Sequence, residues 1–357
     1  MRTKIIAVLL AVLTALGGLN LFKSIRDRLL PDAKATESTE QIRIRVNEFQ
    51  TKEIVETVVE KISIKVRETF SDEEGNEVVI DETFKVRDGQ TLYIDIAHSD
   101  VEIETGAHGE ARIRVSVSGT NMARARDVFD DMDFSLRMVG DEIRLVSGNR
   151  RSSWNDRYGN IDIEVFAFIP ESFNVQMKTT HGDVELGDIL GTVFLKTTHG
   201  DVSASNIEGE SISLVSTHGD VDAETLIGES ITMKTTHADI DADEILGRTV
   251  SVSTTHSDIE IGLLRGQAKI TTSHGDIEIE INSNERLTLQ TTHGDIVLIA
   301  PSNLQAELDL EGERVRLDRM FEFDGRVEED EIRGSINGGG STIKARTSHG
   351  SITIRGK

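Results

Sequence analysis

Cysteine is absent from this chain of 357 residues, proline occurs 3 times, tryptophan once, and aromatic residues make up 4%. The missing cysteines exclude disulfides, thiolate chemistry, a cysteine-ligated metal and a lipid-modified cysteine near the N-terminus. Positive charge is scarce as well: 39 Lys and Arg face 63 Asp and Glu, a formal net charge of -24. That excess repels nucleic-acid phosphates and anionic lipid surfaces, so no nucleic-acid partner is expected. A nucleophile elbow, a phosphate-binding loop and a zinc-protease pair are also missing. What the chain has instead is glycine, 30 residues of it, and much of it recurs at a fixed interval.

The tripeptide His-Gly-Asp, or a close variant, returns at a nearly constant spacing, at His181, His199, His218, His237, His256, His274 and His293. Such a period means one supersecondary unit copied along an axis. A strand sends alternate side chains to opposite faces, so aligning the units on the histidine identifies the inward positions. Four residues before it stand Met177, Leu195, Leu214, Met233, Val252, Ile270 and Leu289; three after it stand Val184, Val202, Val221, Ile240, Ile259, Ile277 and Ile296. The change from an even to an odd offset requires a corner at His-Gly-Asp, where Gly tolerates positive φ and Asp accepts backbone amides. A second corner is expected at Ile-x-Gly, ending in Gly191, Gly209, Gly228, Gly247 and Gly266. There Ile189, Ile207, Leu226, Ile245 and Leu264 plug the end of a flat core.

The expected fold is all-β: a parallel β-solenoid, or single-stranded β-helix, with two strands per coil of 18–19 residues and an N-terminal apolar helix. Parallel crossovers favour the right hand. Seven coils at about 4.8 Å each make a rod of roughly 34 Å. The signature also appears around His98, from Leu92 to Ile103, and around His349, from Ile343 to Ile354. The span from His293 to His349 is close to three coils in length. The rod is therefore expected to continue through degenerate coils at Ala306 to Leu310 and Val315 to Leu317. Between His98 and His181, the segments 111–117, 134–139, 142–146 and 161–168 read as longer strands, and 147–159, with Trp154, as an exposed loop. Helix is expected only at the N-terminus.

There, Arg2 and Lys4 precede an apolar run from Ile5 to Phe22, whose length is at the short end of what spans a bilayer. Ala15-Leu16-Gly17 supplies small residues for a cleaved signal peptide, whereas Lys23, Arg26 and Arg28 after the run suit an uncleaved anchor. Either reading places the rod outside the cytoplasm, anchored in the membrane or secreted to the periplasm or cell surface. Residues 1–30 are thus a signal peptide or membrane anchor, 31–40 a linker, 41–83 an N-terminal β stalk or cap, and 84–357 the solenoid, with regular coils over 172–300.

From Phe84 to Leu92, through the strand Ile161 to Pro170, the seven Thr/Ser-His-(Gly, Ala or Ser)-Asp corners and Ser335 to Gly340, the chain resembles the bacterial "putative-adhesin" domain of unknown function, also called the toastrack domain. The resemblance covers roughly residues 84–357. It implies an envelope-associated β-solenoid, with adhesion or cell-surface sensing as the proposed role. His stands here where that family often has Ser, so the histidines inherit no role from it.

Stacked coils align the seven histidines with seven carboxylates, Asp183, Asp201, Asp220, Asp239, Asp258, Asp276 and Asp295. Imidazole suits zinc or nickel and carboxylate suits calcium, so this edge is a candidate divalent-cation site, though no resident cofactor is expected. The structural alternative is a turn ladder in which each Asp accepts amides of its own turn and His packs between Thr methyls. Stacked imidazoles would also resist protonation below roughly pH 6, making the module pH-responsive. Every carboxylate belongs to a repeating column, so catalysis is not expected. The expected function is a non-catalytic adhesin-like, scaffolding or envelope-sensing module. Its expected partner is an envelope polysaccharide or protein, with the membrane engaged through the N-terminal segment if that segment is uncleaved.

Overall fold

A computed structural model describes residues 70–71, 77–106, 109–148, 161–283 and 285–357. The expected N-terminal helix and linker, most of the stalk and the Trp154 segment lie outside the described residues.

Two limbs build each regular coil, as the alternation requires. The first carries the residues before the histidine and the second those after it, and both pair in parallel with the coils above and below. Val202, Val221, Ile240 and Ile259 are in register on the second limb, and Ile212, Ile231, Val250 and Ala268 on the first. The inward columns are buried throughout: Leu195, Leu214, Met233, Val252 and Ile270 are 0% exposed. At the far end, the plugging residues Ile189, Ile207, Leu226, Ile245 and Leu264 are at most 1% exposed. Each such side chain stabilises the stack by roughly 1.5–3 kcal/mol of apolar burial.

The second corner differs from expectation. Val202–Val215, Val221–Lys234, Ile240–Ser253 and Ile259–Thr271 are each one strand running through the Ile-x-Gly step. Gly209 pairs with Gly228 and Gly228 with Gly247, so the ladder bends there without opening. A turn would leave backbone amides and carbonyls to be satisfied elsewhere, whereas a bend keeps them paired with the next coil. Coils that differ in length by a single residue are reconciled by a bulge at this bend, where the register shifts between Leu246 and Thr249.

The His-Gly-Asp corner forms, but for a different reason from the one expected. Among its glycines only Gly182 has positive φ, at 126°. The others are held by crowding: a Cβ on Gly200 would lie 2.1 Å from the Gly182 carbonyl oxygen, and one on Gly219 2.0 Å from that of Gly200. At these glycines the stacked turns approach so closely that a side chain would displace the neighbouring backbone, whereas Ala238 and Ser257 carry side chains at the same step.

At both ends, order in space departs from order in the chain. The His98 coil lies directly against the first regular coil, pairing Leu92 with Val175 and Val101 with Val184. The intervening excursion returns on its outer side, where Glu142–Ser147 pairs with Thr91–Asp95 and Ile161–Ile169 with Asp100–Thr105. The C-terminus repeats the device. Leu287 pairs with Ile343 and Ile296 with Ile352, so the last coil stacks on the His293 coil. The segments expected between them, Ala306–Glu311 and Arg314–Leu317, instead form the outermost coil.

Antiparallel pairs close both ends. Glu77–Lys85 and Glu110–Gly119 cover the N-terminal side, and the hairpin of Phe323–Val327 with Glu331–Ile336 covers the other. The first of these strands crosses the expected boundary at residue 84, and the compact unit containing it begins at Arg67. A helix at Met122–Asp131 was not expected. Asn121 caps it by accepting the Arg124 amide at 3.2 Å, and it buries Ala125, Val128 and Phe129. It stops where Asp133 turns left-handed at φ 51°.

Candidate functional site

Because every coil solves the same turn, the histidines fall into one file, and the structure extends that file beyond the regular array. Nine imidazoles stack from His98 through His181, His199, His218, His237, His256, His274 and His293 to His349. Their centroids are 4.4–5.4 Å apart and neighbouring planes differ by 1–11°. The rings pack on one another and not between Thr methyls. His218, His237 and His256 place Nδ1 3.0, 3.3 and 3.2 Å from the carbonyl oxygens of Thr198, Thr217 and Thr236. A carbonyl only accepts, so Nδ1 carries the hydrogen and Nε2 is left facing solvent.

The aspartates form a second file, tied between coils and not within their own turn. The Asp201 amide donates to Asp183 Oδ1 at 2.9 Å, Asp220 to Asp201 at 2.9 Å, and Asp239 to Asp220 at 3.0 Å. Asp258, Asp276 and Asp295 continue the file at 3.0, 2.7 and 2.7 Å, Asp100 begins it and Ser351 ends it. Behind them, from Thr197 onward, the buried Thr or Ser two residues before the histidine donates to the carbonyl of the coil below, whereas Thr179 in the first regular coil donates to the His181 carbonyl of its own turn. Thr235 reaches Gly219 at 2.9 Å, Thr254 reaches Ala238 at 3.0 Å, and Thr347 reaches Gly294 at 2.9 Å. The end coil has Ile96 in that position, 2% exposed.

The profile of the Toastrack DUF4097 family matches residues 90–355, a span that begins beside the His98 coil and ends in the last strand. The chain belongs to that family. Among solved structures it is similar to a "putative adhesin" from Bacteroides fragilis, with 12% identity over 77% of this chain and 96% of the other, at a TM-score of 0.37. It is also similar to one from Parabacteroides merdae, with 8% identity over 77% and 95% and a TM-score of 0.38. A "putative lipid binding protein" from Parabacteroides distasonis gives 13% identity over 77% and 96%, at 0.31. Among curated proteins none matches.

Within this toastrack chain the predicted histidine and aspartate residues are adjacent, yet their geometry does not gather them around a point. Two imidazole nitrogens sharing one zinc lie about 3.3 Å apart, closer than these parallel rings stand. Among the described residues, no group of three or more His, Asp or Glu is arranged to hold a metal ion. Burial first, and the neighbouring His181 ring second, push the His98 pKa down to about 4, and His181 is lowered in the same way by burial and His199.

A feature outside those columns is an acidic cleft of about 480 Å³ on the outer face of the second limb, lined by Glu102, Glu104, Glu185, Asp222, Glu224 and Asp241. Its floor is the small-residue column Ala204, Ala223 and Ala242. Burial raises the pKa of Asp222 and Asp241, and neighbouring carboxylates add to the effect. Glu102 is raised by burial and then by Glu104 and Glu185. Outward acids four and six residues after His98, His218 and His237, and four after His181, were the available sequence signal. Off the repeat register, Asp309 lies 3.3–3.6 Å from Arg333, Lys344 and Arg346, so that carboxylate is already matched by cations that tie the outermost coil down.

Proposed function

We propose that this toastrack protein is a non-catalytic, extracytoplasmic rod with an adhesin-like, scaffolding or envelope-sensing role, held at or released from the membrane according to the fate of its N-terminal segment. One observation carries the reading. The repeated polar residues that look functional are spent on the stack itself, aspartate on amides and threonine on carbonyls, which leaves a stiff body whose outer faces are free to bind. Among the described residues no helix is long and apolar enough to cross a membrane; in this reading the attachment, where it is kept, is through the N-terminal segment. The test is to present the full chain to purified fragments of its native envelope. Retention of a polysaccharide or protein recovered with its length unchanged supports the reading; steady release of shortened chains overturns it.

A second reading, a cation- or pH-responsive module, is favoured by the outward Nε2 atoms of the stacked histidines. Its metal form requires rings to tilt out of the stack. Calorimetry of the full chain with zinc, nickel or calcium showing no stoichiometric uptake removes that form and leaves the pH form to be judged by melting.

A further inference from the structure

The two limbs of the coil present opposite charge to solvent. On the second limb the outward residues include Glu185, Asp222, Asp241, Glu260 and Glu278. The first-limb strand residues, from Asn174–Lys178 through to Ser341–Arg346, contain no Asp or Glu. Their outward positions carry Ser, Thr, Asn and Gln, with Lys178, Lys196, Lys234 and Lys269 among them. On a chain of net charge -24 this face is an exception to the average. Lys344 and Arg346 at its end are engaged by Asp309, but none of those four lysines has an ion-pair partner among the described residues. The Lys178 ammonium sits 5.6 Å from the centre of the half-buried Phe194 ring, the aromatic side chain of this stretch.

We propose that this first-limb face is the docking surface for an extended acidic polysaccharide lying along the rod. The inference rests on the binding role proposed above and adds the face and the ligand chemistry. Hydroxyl and amide groups at strand spacing match a polymer of sugar hydroxyls. Lys196, Lys234 and Lys269 stand on alternate coils, about 9.6 Å apart along the stack, with Lys269 set two residues back along its strand, and so meet negative groups distributed along a chain. The acidic second limb lies about 10 Å or more away across the core, beyond a Debye length of about 8 Å at physiological salt, and the nearer acids stand at the margins of the face, Asp95 in register with Lys178 and Glu210 and Glu229 at the bend. A second copy of the protein is a poorer occupant. Two bodies of this net charge repel, and the exposed apolar residues Leu190 and Ile227 lie at the bend, off this face.

The test compares the full chain, in non-ionic detergent, with a variant carrying Lys178→Gln, Lys196→Gln, Lys234→Gln and Lys269→Gln, using affinity electrophoresis through polygalacturonate or neutral dextran. The wild type is expected to be retarded by polygalacturonate and not by dextran, with at least a tenfold loss of affinity in the variant. A control carrying Asp222→Asn and Asp241→Asn keeps full retardation. Both variants must melt like the wild type; if the lysine variant does not, Lys234→Gln and Lys269→Gln alone are expected to give a partial loss. No retardation, equal retardation of the variant, or equal retardation by dextran overturns the proposal. Self-association in sedimentation velocity that the lysine variant abolishes, without polymer binding, assigns the face to a second copy and also overturns it. If envelope fragments retain wild type and lysine variant alike, the face is wrong while the broader binding role stands.

Discussion

The seven regular corners and the two that bracket them, at His98 and His349, make the same stack by different routes. In the regular array each coil hands directly to the next, so chain order and spatial order coincide. At the ends the chain leaves the stack, builds an outer coil, and is pinned there by antiparallel strands, while the His98 and His349 coils stay pressed against the array. A parallel stack that simply stopped would expose a row of unpaired amides and carbonyls, a template for further strands. Interposing a well-formed coil between the array and an irregular cap gives the array a neighbour in perfect register. The cap is then free to vary, with a helix on one side and, on the other, a hairpin in which Gly325 and Gly334 approach closely beneath the Phe323 ring.

The comparison breaks most visibly if the last coil is removed. Truncation after Gly340 deletes Ile343, Ile352 and Ile354, each at most 1% exposed, and should cost about 5 kcal/mol or more at ~1.5–3 kcal/mol per side chain. Hydrogen exchange should then lose protection at Leu287–Gln290, at Ile296–Ala300 and at Ala306–Glu311 together. Stacking in chain order would instead keep the first two covered, and that outcome would refute the spatial order.

Next in size is crowding at the corner. Gly200→Val places a side chain against the Gly182 carbonyl and is expected to cost roughly 2–3 kcal/mol through overpacking, read as a lower urea midpoint with an unchanged slope. The reverse change at a coil that already carries a side chain there, Ala238→Gly, should cost under about 1 kcal/mol. Equal effects at the two sites would mean that close approach does not select the glycine.

Thr235→Val removes the donor to the Gly219 carbonyl and is expected to cost about 1–3 kcal/mol, since the oxygen remains buried without that partner. At the same register in the end coil, Ile96→Val should cost only about 0.5–1.5 kcal/mol, because no hydrogen bond is at stake. Thermal melts of the pair measure the difference, and a milder effect at Thr235 than at Ile96 would show the ladder bond to be dispensable.

The regular array was legible because its period is enforced at every position: the columns of Met177 and Val184 repeat an identical solution, and alternation alone assigns them inward. Chain order at the ends was not legible, because Ala306–Glu311 and Ser341–Arg346 both alternate acceptably and nothing local says which touches the His293 coil. The helix leaves little trace in the sequence, since its buried apolar residues, Ala125, Val128 and Phe129, are few and set among charges. Spacing alone places the histidines in a column but does not make the column a stack of rings. Ring-on-ring contact depends on χ angles and on the Nδ1 bond to a backbone carbonyl, neither of which a spacing rule contains. The basic face was obscured by the net charge, which averages two limbs of opposite character.

The smallest expected effect distinguishes one end of the histidine file. His98 has a folded pKa of about 4 against about 6.5 when unfolded, because burial and the His181 ring disfavour its charged form. The unfolded chain therefore binds the proton first as pH falls. The contribution of His98 to stability is complete above pH 6.5 and is lost on acidification through pH 4. With the ring partly exposed, solvent screening reduces this to the order of 1 kcal/mol. His98→Gln should lose the stacking at every pH and, beyond that constant offset, should fall less steeply than wild type between pH 7 and pH 4.5 in denaturant midpoint. Parallel curves for the two proteins would show that the end ring titrates as it does in the unfolded chain, and that the depression at His98 has no thermodynamic consequence.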